Sequence, residues 1–144
     1  MIVLRSDLGM EARELVSQAS KAGVGALLKL GGVVRDYNSF DATLEKVSVV
    51  LHLQRGALPW KEPVDHPDVV EWLEGKMERV CVVVETEREL VDMEARAKAA
   101  GLITCLVEDA DLAAFAGLTV KTALAIGPAA AEKADVLIEG LPLL

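Results

Sequence analysis

One stretch narrows the possible folds more than any other: Val80-Cys81-Val82-Val83-Val84, a helix-like segment, then Ile103-Thr104-Cys105-Leu106-Val107. The first run is unbroken by polar residues, the pattern of strands covered by helices on both faces. Between the two runs, Thr86 precedes Glu87 and Glu89, acids that suit the positive end of a helix dipole. Leu90, Met93, Ala97 and Ala100 then make an inward stripe that Gly101 stops. Strand, helix and strand in this order predict a right-handed crossover with the two strands parallel and adjacent. Asp109 is left just past the carboxyl end of a strand, where open α/β sheets place ligand sites.

The flanking sequence extends the same architecture. Met1 to Arg5 reads as a strand ended by Ser6 and Asp7, both good helix-capping types. From about Met10 to Leu30 the residues Leu15, Ala19, Ala22, Ala26 and Leu30 recur at helical spacing, until Gly31-Gly32 ends the helix. Asp65 or His66 caps another helix, with Pro67 in its first turn and Val69, Val70, Trp72 and Leu73 as its apolar surface. Val120 to Ile126 predicts a last strand, stopped by Gly127-Pro128, and Ala129 to Ala134 a short helix. Residues 33 to 64 are less legible. Asp41 with Leu44, Val47 and Leu51 favours a helix, although Val47 to Leu51 also suits a strand, and Gly56 to Pro63 is a loop. With no repeat or linker, the expectation is a single domain over residues 1–144 with an extended segment at 31–64. Its class is α/β, in three layers, with a mixed, mostly parallel sheet of about four strands between helices.

Composition supports that architecture and limits the chemistry. Hydrophobic residues make up 52% of the 144 and aromatics only 3%, so the core is built from Ala, Val, Leu and Ile. A chain this long needs no disulfide or metal staple. Cys81 and Cys105 form no CxxC pair, and His52 and His66 have no partner at ligand spacing, so no metal or cofactor is expected. There is no nucleophile elbow, phosphate-cradling glycine loop or dinucleotide fingerprint. No run is long enough to span a bilayer and no targeting segment is read, which predicts a cytoplasmic protein. The net charge of -8 is unevenly spread: residues 1 to 61 hold eight Lys and Arg against six Asp and Glu, residues 62 to 144 seven against seventeen. Any contact with phosphate is therefore expected to use the first half.

Two motifs at opposite ends go further. Leu4-Arg5-Ser6-Asp7-Leu8-Gly9-Met10 and Lys121-Thr122-Ala123-Leu124-Ala125-Ile126-Gly127-Pro128 together resemble the signature of type 2 peptidyl-tRNA hydrolases. Glu108-Asp109-Ala110 is similar to that family's Asp-Ala loop, and Leu141-Pro142-Leu143-Leu144 to its leucine-rich end. The resemblance covers residues 1 to 30 and about 65 to 144, with 31 to 64 longer than is usual in the family. It implies the family fold, ester hydrolysis of peptidyl-tRNA, and a homodimer, which the small-residue helix face also suits. It further implies a lysine acting on the ester together with the aspartate that falls at Asp109 and a threonine near Thr119 or Thr122.

The long helix departs from the family pattern. Gln18 matches, whereas the two lysine positions are Ala12 and Glu14 and the histidine position is Lys21. A cation would stabilise a developing oxyanion and hold RNA, and Glu14 reverses that sign. Lys21 lies about 10 Å further along the helix axis than position 14, so it is not expected to fill that place. Arg13 points about 100 degrees away around the helix, and an Arg binds anions but hardly acts as a base.

Two readings follow. In the first the chain is an ester hydrolase on peptidyl-tRNA or a related acylated substrate. Asp109, Lys21, Thr119 and Thr122 are then its catalytic candidates, and Arg5, Asp7, Arg13, Gln18 and Lys121 its substrate-binding candidates. In the second the same frame is a non-catalytic binding or dimerisation module, with 31 to 64 as the surface for a protein partner. Each candidate also has a plain role: Asp109 as a cap, the threonines as strand formers, Ser6, Asp7 and Gln18 as fittings of the first helix, Glu14 and Lys21 as solvated surface.

Overall fold

Short apolar runs become strands wherever helices can cover them, and the computed structural model describes residues 1–29, 32–37, 45–50, 67–110 and 117–144. Four strands, β1 (Ile2–Arg5), β4 (Cys81–Val84), β5 (Thr104–Asp109) and β6 (Val120–Ile126), form one sheet in the order β4-β1-β6-β5. β2 (Gly32–Tyr37) and β3 (Glu45–Val50) pair with each other, antiparallel, as a separate two-stranded sheet. The helices are α1 (Ala12–Leu28), α2 (Pro67–Glu74), α3 (Glu87–Ala99) and α4 (Ala131–Ile138).

The expectation of an α/β fold with a mixed four-strand sheet is met, with one correction to its order. β4 and β5 run in the same direction but are not neighbours, because β1 and β6 lie between them. Only β1 and β4 pair in parallel; β6 is antiparallel to both β1 and β5. The physical reason is burial. Every residue of β1 and the last five of β6 are buried, whereas β4 and β5 each keep partly exposed positions. β4, although apolar throughout, takes an edge of the sheet, and the crossover from it to β5 spans β1 and β6. Backbone from the chain's end covers the outer edge of β4, with Val83 N donating to Pro142 O at 3.0 Å and Leu144 N to Cys81 O at 3.0 Å.

α1 covers one face, where Leu15, Ala19, Ala22 and Ala26 meet Ile2, Leu4, Val107, Ala123 and Ala125. On the other face Leu90, Met93 and Ala97 of α3 and Leu137 of α4 meet Val3, Val82, Val84, Leu124 and Ile126. A side chain at Gly25 would collide with Cys105 Sγ, so glycine there lets α1 lie close to β5.

Caps explain where the helices begin. Thr86 caps α3 as its sequence predicts: Glu89 N donates to Thr86 Oγ1 at 3.2 Å, and Thr86 N returns a bond to Glu89 Oε2 at 3.1 Å. α1 departs from expectation. Its cap is Glu11, whose N–H donates to Glu14 Oε2 at 2.8 Å, while Ser6 and Asp7 bond elsewhere. The helix favoured around Leu44 and Val47 is also overturned, since Glu45–Val50 is a strand. Branched side chains at Val47, Val49 and Val50 prefer a pleated backbone, and that outweighs the helical spacing. Asp41, Leu51 and the loop from Gly56 to Pro63 lie outside the described residues. No helix among the described residues is long and apolar enough to cross a membrane.

Candidate functional site

All candidate residues on strands gather at one end of the sheet, because β1, β4 and β5 finish there and the antiparallel β6 begins there. Asp109 is the last residue of β5 rather than the first beyond it. Its side chain is only 3% exposed, and a carboxylate so buried needs hydrogen-bonded or charged partners. α1 supplies them. Gln18 Nε2 donates to Asp109 Oδ2 at 2.8 Å, and the Lys21 ammonium pairs with the same oxygen. Gln18 and Lys21 stand three residues apart and so share one helix face.

Lys21 corrects the electrostatic expectation. The site was expected to lack a positive charge beside the aspartate, and an ammonium group is there. Measuring along the helix from position 14 misleads, because Asp109 sits beside the 18–21 turn and the Lys21 side chain bridges the remaining gap. Glu14 is turned back onto the start of its own helix, where its carboxylate accepts the Glu11 N–H.

A kink in the sheet brings in Thr122. The β5–β6 register shifts between Val107 and Glu108: Val107 faces Ala123 but Glu108 faces Lys121, so Thr122 is the extra residue of a bulge on β6. A bulge turns one side chain against the alternation of the strand. Ala123 packs under α1, and Thr122 also points to that side, its hydroxyl donating to Gln18 Oε1 at 2.8 Å. Thr122 is wholly buried. Thr119, the other threonine candidate, is exposed ahead of β6.

Across the sheet lies a second polar cluster. Arg5 is buried and holds Asp7 in a fork, Nε to Oδ1 at 3.0 Å and Nη2 to Oδ2 at 2.7 Å. Its Nη1 donates to Glu87 Oε2 at 3.0 Å and to Lys121 O at 2.9 Å, and Lys121 Nζ reaches Glu87 Oε1 at 3.2 Å. The Arg5 hydrogen bond holds the Asp7 carboxyl below its ordinary range, and the Asp7 bond raises the Arg5 guanidinium above its own. Arg5, Asp7 and Lys121 are thus engaged with one another and with Glu87. Arg13 stands apart, with a 79% exposed side chain paired to Glu11 at 3.1 Å.

Of the expected site residues, the fold therefore joins Asp109, Lys21, Gln18 and Thr122 in one cluster and Arg5, Asp7 and Lys121 in another. Sequence reasoning missed Glu87 and the bulge. Glu87 was legible as an acid in the first turn after a strand end, but a register shift leaves no mark in a single strand's residue pattern. A cavity of about 610 Å³ opens elsewhere, between α1, α2 and α4, lined by Ala26, Trp72, Arg79, Pro128 and Asp135. No candidate residue lines it. His52 and His66 lie outside the described residues.

These features define a three-layer α/β protein with a buried aspartate at its strand ends, paired to a half-exposed lysine. The chain belongs to the family described as peptidyl-tRNA hydrolase PTH2, whose profile matches residues 1–144. It is similar to the peptidyl-tRNA hydrolase of Methanocaldococcus jannaschii, 29% identical over 144 residues, which span 100% of this chain and 97% of the relative. It is also similar to the peptidyl-tRNA hydrolase of Thermococcus onnurineus, 32% identical over 107 residues, 72% of this chain and 90% of that protein. The peptidyl-tRNA hydrolase of Methanopyrus kandleri is 36% identical over 95 residues, 66% of this chain and 80% of its own length. The resemblance carried by the two end motifs is correct.

Proposed function

We propose that this chain hydrolyses the ester between a peptide and tRNA, with Lys21 and Asp109 as the reacting pair. The observation that carries this reading is the Lys21 ammonium set against the buried Asp109 carboxylate at the strand ends. In ester hydrolysis the oxygen of a water bonds to the carbonyl carbon, the bond to the ribose oxygen breaks, and a proton moves to that oxygen. Negative charge grows on the carbonyl oxygen as the water adds. The Lys21 side chain is 51% exposed, so its ammonium is the part of the pair that meets the substrate and stabilises that charge. Asp109 holds the ammonium in place and accepts the proton of the attacking water, which later passes to the leaving oxygen.

Exposed Arg13 suits the phosphates of the RNA, and Thr119 lies open on the same polypeptide stretch that leads into β6. Arg5, Asp7 and Lys121, bonded internally, act as scaffold rather than as substrate contacts. The reading includes a cytoplasmic enzyme that works as a homodimer. Val16, Val24 and Leu28, exposed and spaced eight and then four residues apart along α1, support a self-association surface.

The test is turnover of peptidyl-tRNA by the purified chain. Lys21→Ala and Asp109→Ala are each expected to lower kcat by about a hundredfold or more. No turnover by the unmodified protein, with turnover by an Ala12→Lys, Glu14→Lys double mutant, would establish the non-catalytic module instead.

A further inference from the structure

Asp109 and Lys21 supply the charges of the cluster, and the Gln18 amide that bonds Asp109 satisfies its neighbours in only one arrangement. A carboxylate only accepts hydrogen bonds, so the Gln18 atom facing Asp109 Oδ2 at 2.8 Å must be the NH2 group. The carbonyl Oε1 then faces Thr122, and the Thr122 hydroxyl must donate its single proton to it, at 2.8 Å. The alternative acceptor, Val107 O, stands at 3.4 Å and is the weaker partner. Were the amide reversed, two oxygens would meet at Asp109 and an NH2 would meet a hydroxyl with no need of it.

We propose that Thr122 is a positioning residue, whose buried hydroxyl sets the orientation of the Gln18 amide and through it aims the Asp109 carboxylate, without touching the substrate. Its complete burial separates it from any bound ester. Its aim depends on the bulge, and the bulge is held from the opposite face: Arg5 Nη1 donates to Lys121 O at 2.9 Å, one residue from Thr122. β1 and β6 stay in register only from Ile2–Ala125 to Leu4–Ala123, so the Arg5 side chain takes up the backbone where the ladder stops. The two polar clusters on either side of the sheet are thereby one device. Gln18 likewise acts as an orienting group rather than as a substrate ligand.

The kinetic half of the test rests on the hydrolase reading, and the spectroscopic half does not. Thr122→Val keeps the shape of the side chain and removes the donor. It is expected to lower kcat about tenfold or more with little change in KM, since misplaced reacting groups cost rate rather than affinity. Thr122→Ser, which keeps the hydroxyl, is expected to recover most of that loss. In parallel, the Gln18 side-chain NH2 signals in a 1H–15N spectrum, assigned by their disappearance in Gln18→Met, are expected to move in Thr122→Val and stay close to their original positions in Thr122→Ser. An unmoved Gln18 signal in a folded Thr122→Val protein overturns the proposal, and so does a rise in KM alone, the mark of a substrate contact. Should Thr122→Val not fold, Gln18→Met is read in the same way, and an unchanged kcat there overturns it. A protein without turnover whose Gln18 signals still move with Thr122 sinks the hydrolase reading alone.

Discussion

A buried arginine in a protein must find partners for a planar fork of donors, and Arg5 shows what that requirement organises. It ties β1 to the Asp7 turn, to Glu87 at the start of α3 and to the Lys121 carbonyl of β6. Asp7 gains from this in a pH-dependent way. Its carboxyl is held below its ordinary range when folded, mainly by the Arg5 hydrogen bond, so folding is favoured by its ionised form. That contribution is complete above the unfolded value, near 3.9, and is lost as pH falls through the lowered folded value. Asp7→Asn is therefore expected to lower Tm at pH 7, with the gap to the unmodified protein closing as pH drops below about 4. Thermal melts of both proteins across pH 2 to 7 check this, and a gap independent of pH would contradict it. Lys21 shows a second lesson at this scale. A long flexible side chain carries its charge well away from its own turn, so helical spacing alone misjudges where that charge ends up.

Elements meet here through small residues, and the closeness of α1 to the sheet depends on them. Ala19, Ala22 and Ala26 face Ala123 and Ala125, and Gly25 passes directly over Cys105. Gly25→Ala gains about 1 kcal/mol of helix propensity but overpacks the interface by about 1–3 kcal/mol, so a net loss of about 1 kcal/mol is expected. Cys105→Ala removes the obstructing sulfur. The double mutant is then expected to be more stable than the two single losses added together, by about 0.5–1 kcal/mol of coupling. Denaturant melts of the four proteins measure it, and strict additivity would mean that the helix does not approach as closely as described. The same contact lies one turn beyond Lys21, so a displaced α1 also loosens the Asp109 pair.

For the whole molecule the question is how a chain of net charge -8 handles a polyanion. Among the described residues the exposed cations on the helices that bear the two clusters' partners are few at this end: Lys21 and the outlying Arg13 on α1 and Arg88 on α3, with Arg5 buried and Lys121 paired to Glu87. RNA binding is therefore expected to be weak and its salt dependence shallow, on the order of one to three phosphate contacts. Arg13→Ala should weaken binding and reduce the slope of log K against log salt by about one, whereas Lys121→Ala should change it less. A titration series between low and moderate salt would decide this. A slope corresponding to six or more phosphates would show that the RNA rests on a basic surface elsewhere, the first half of the chain being the place to look.

Outside residues 31–64 the sequence by itself determined the element order, and with it the three layers, the capped start of α3 and the family, because these depend on local periodicity, capping chemistry and short motifs. It also marked Asp109, Lys21, Gln18 and Thr122 as candidates, through their places on a strand end, a helix face and a motif. Only the tertiary structure decided that β1 and β6 separate β4 from β5, and that residues 45–50 form a strand. It alone separated Thr122 from Thr119 and put a lysine beside the aspartate. Strand order follows from which surfaces are buried by the whole chain, and a side chain's partner follows from contacts across 88 or 104 residues. No window of sequence contains either quantity.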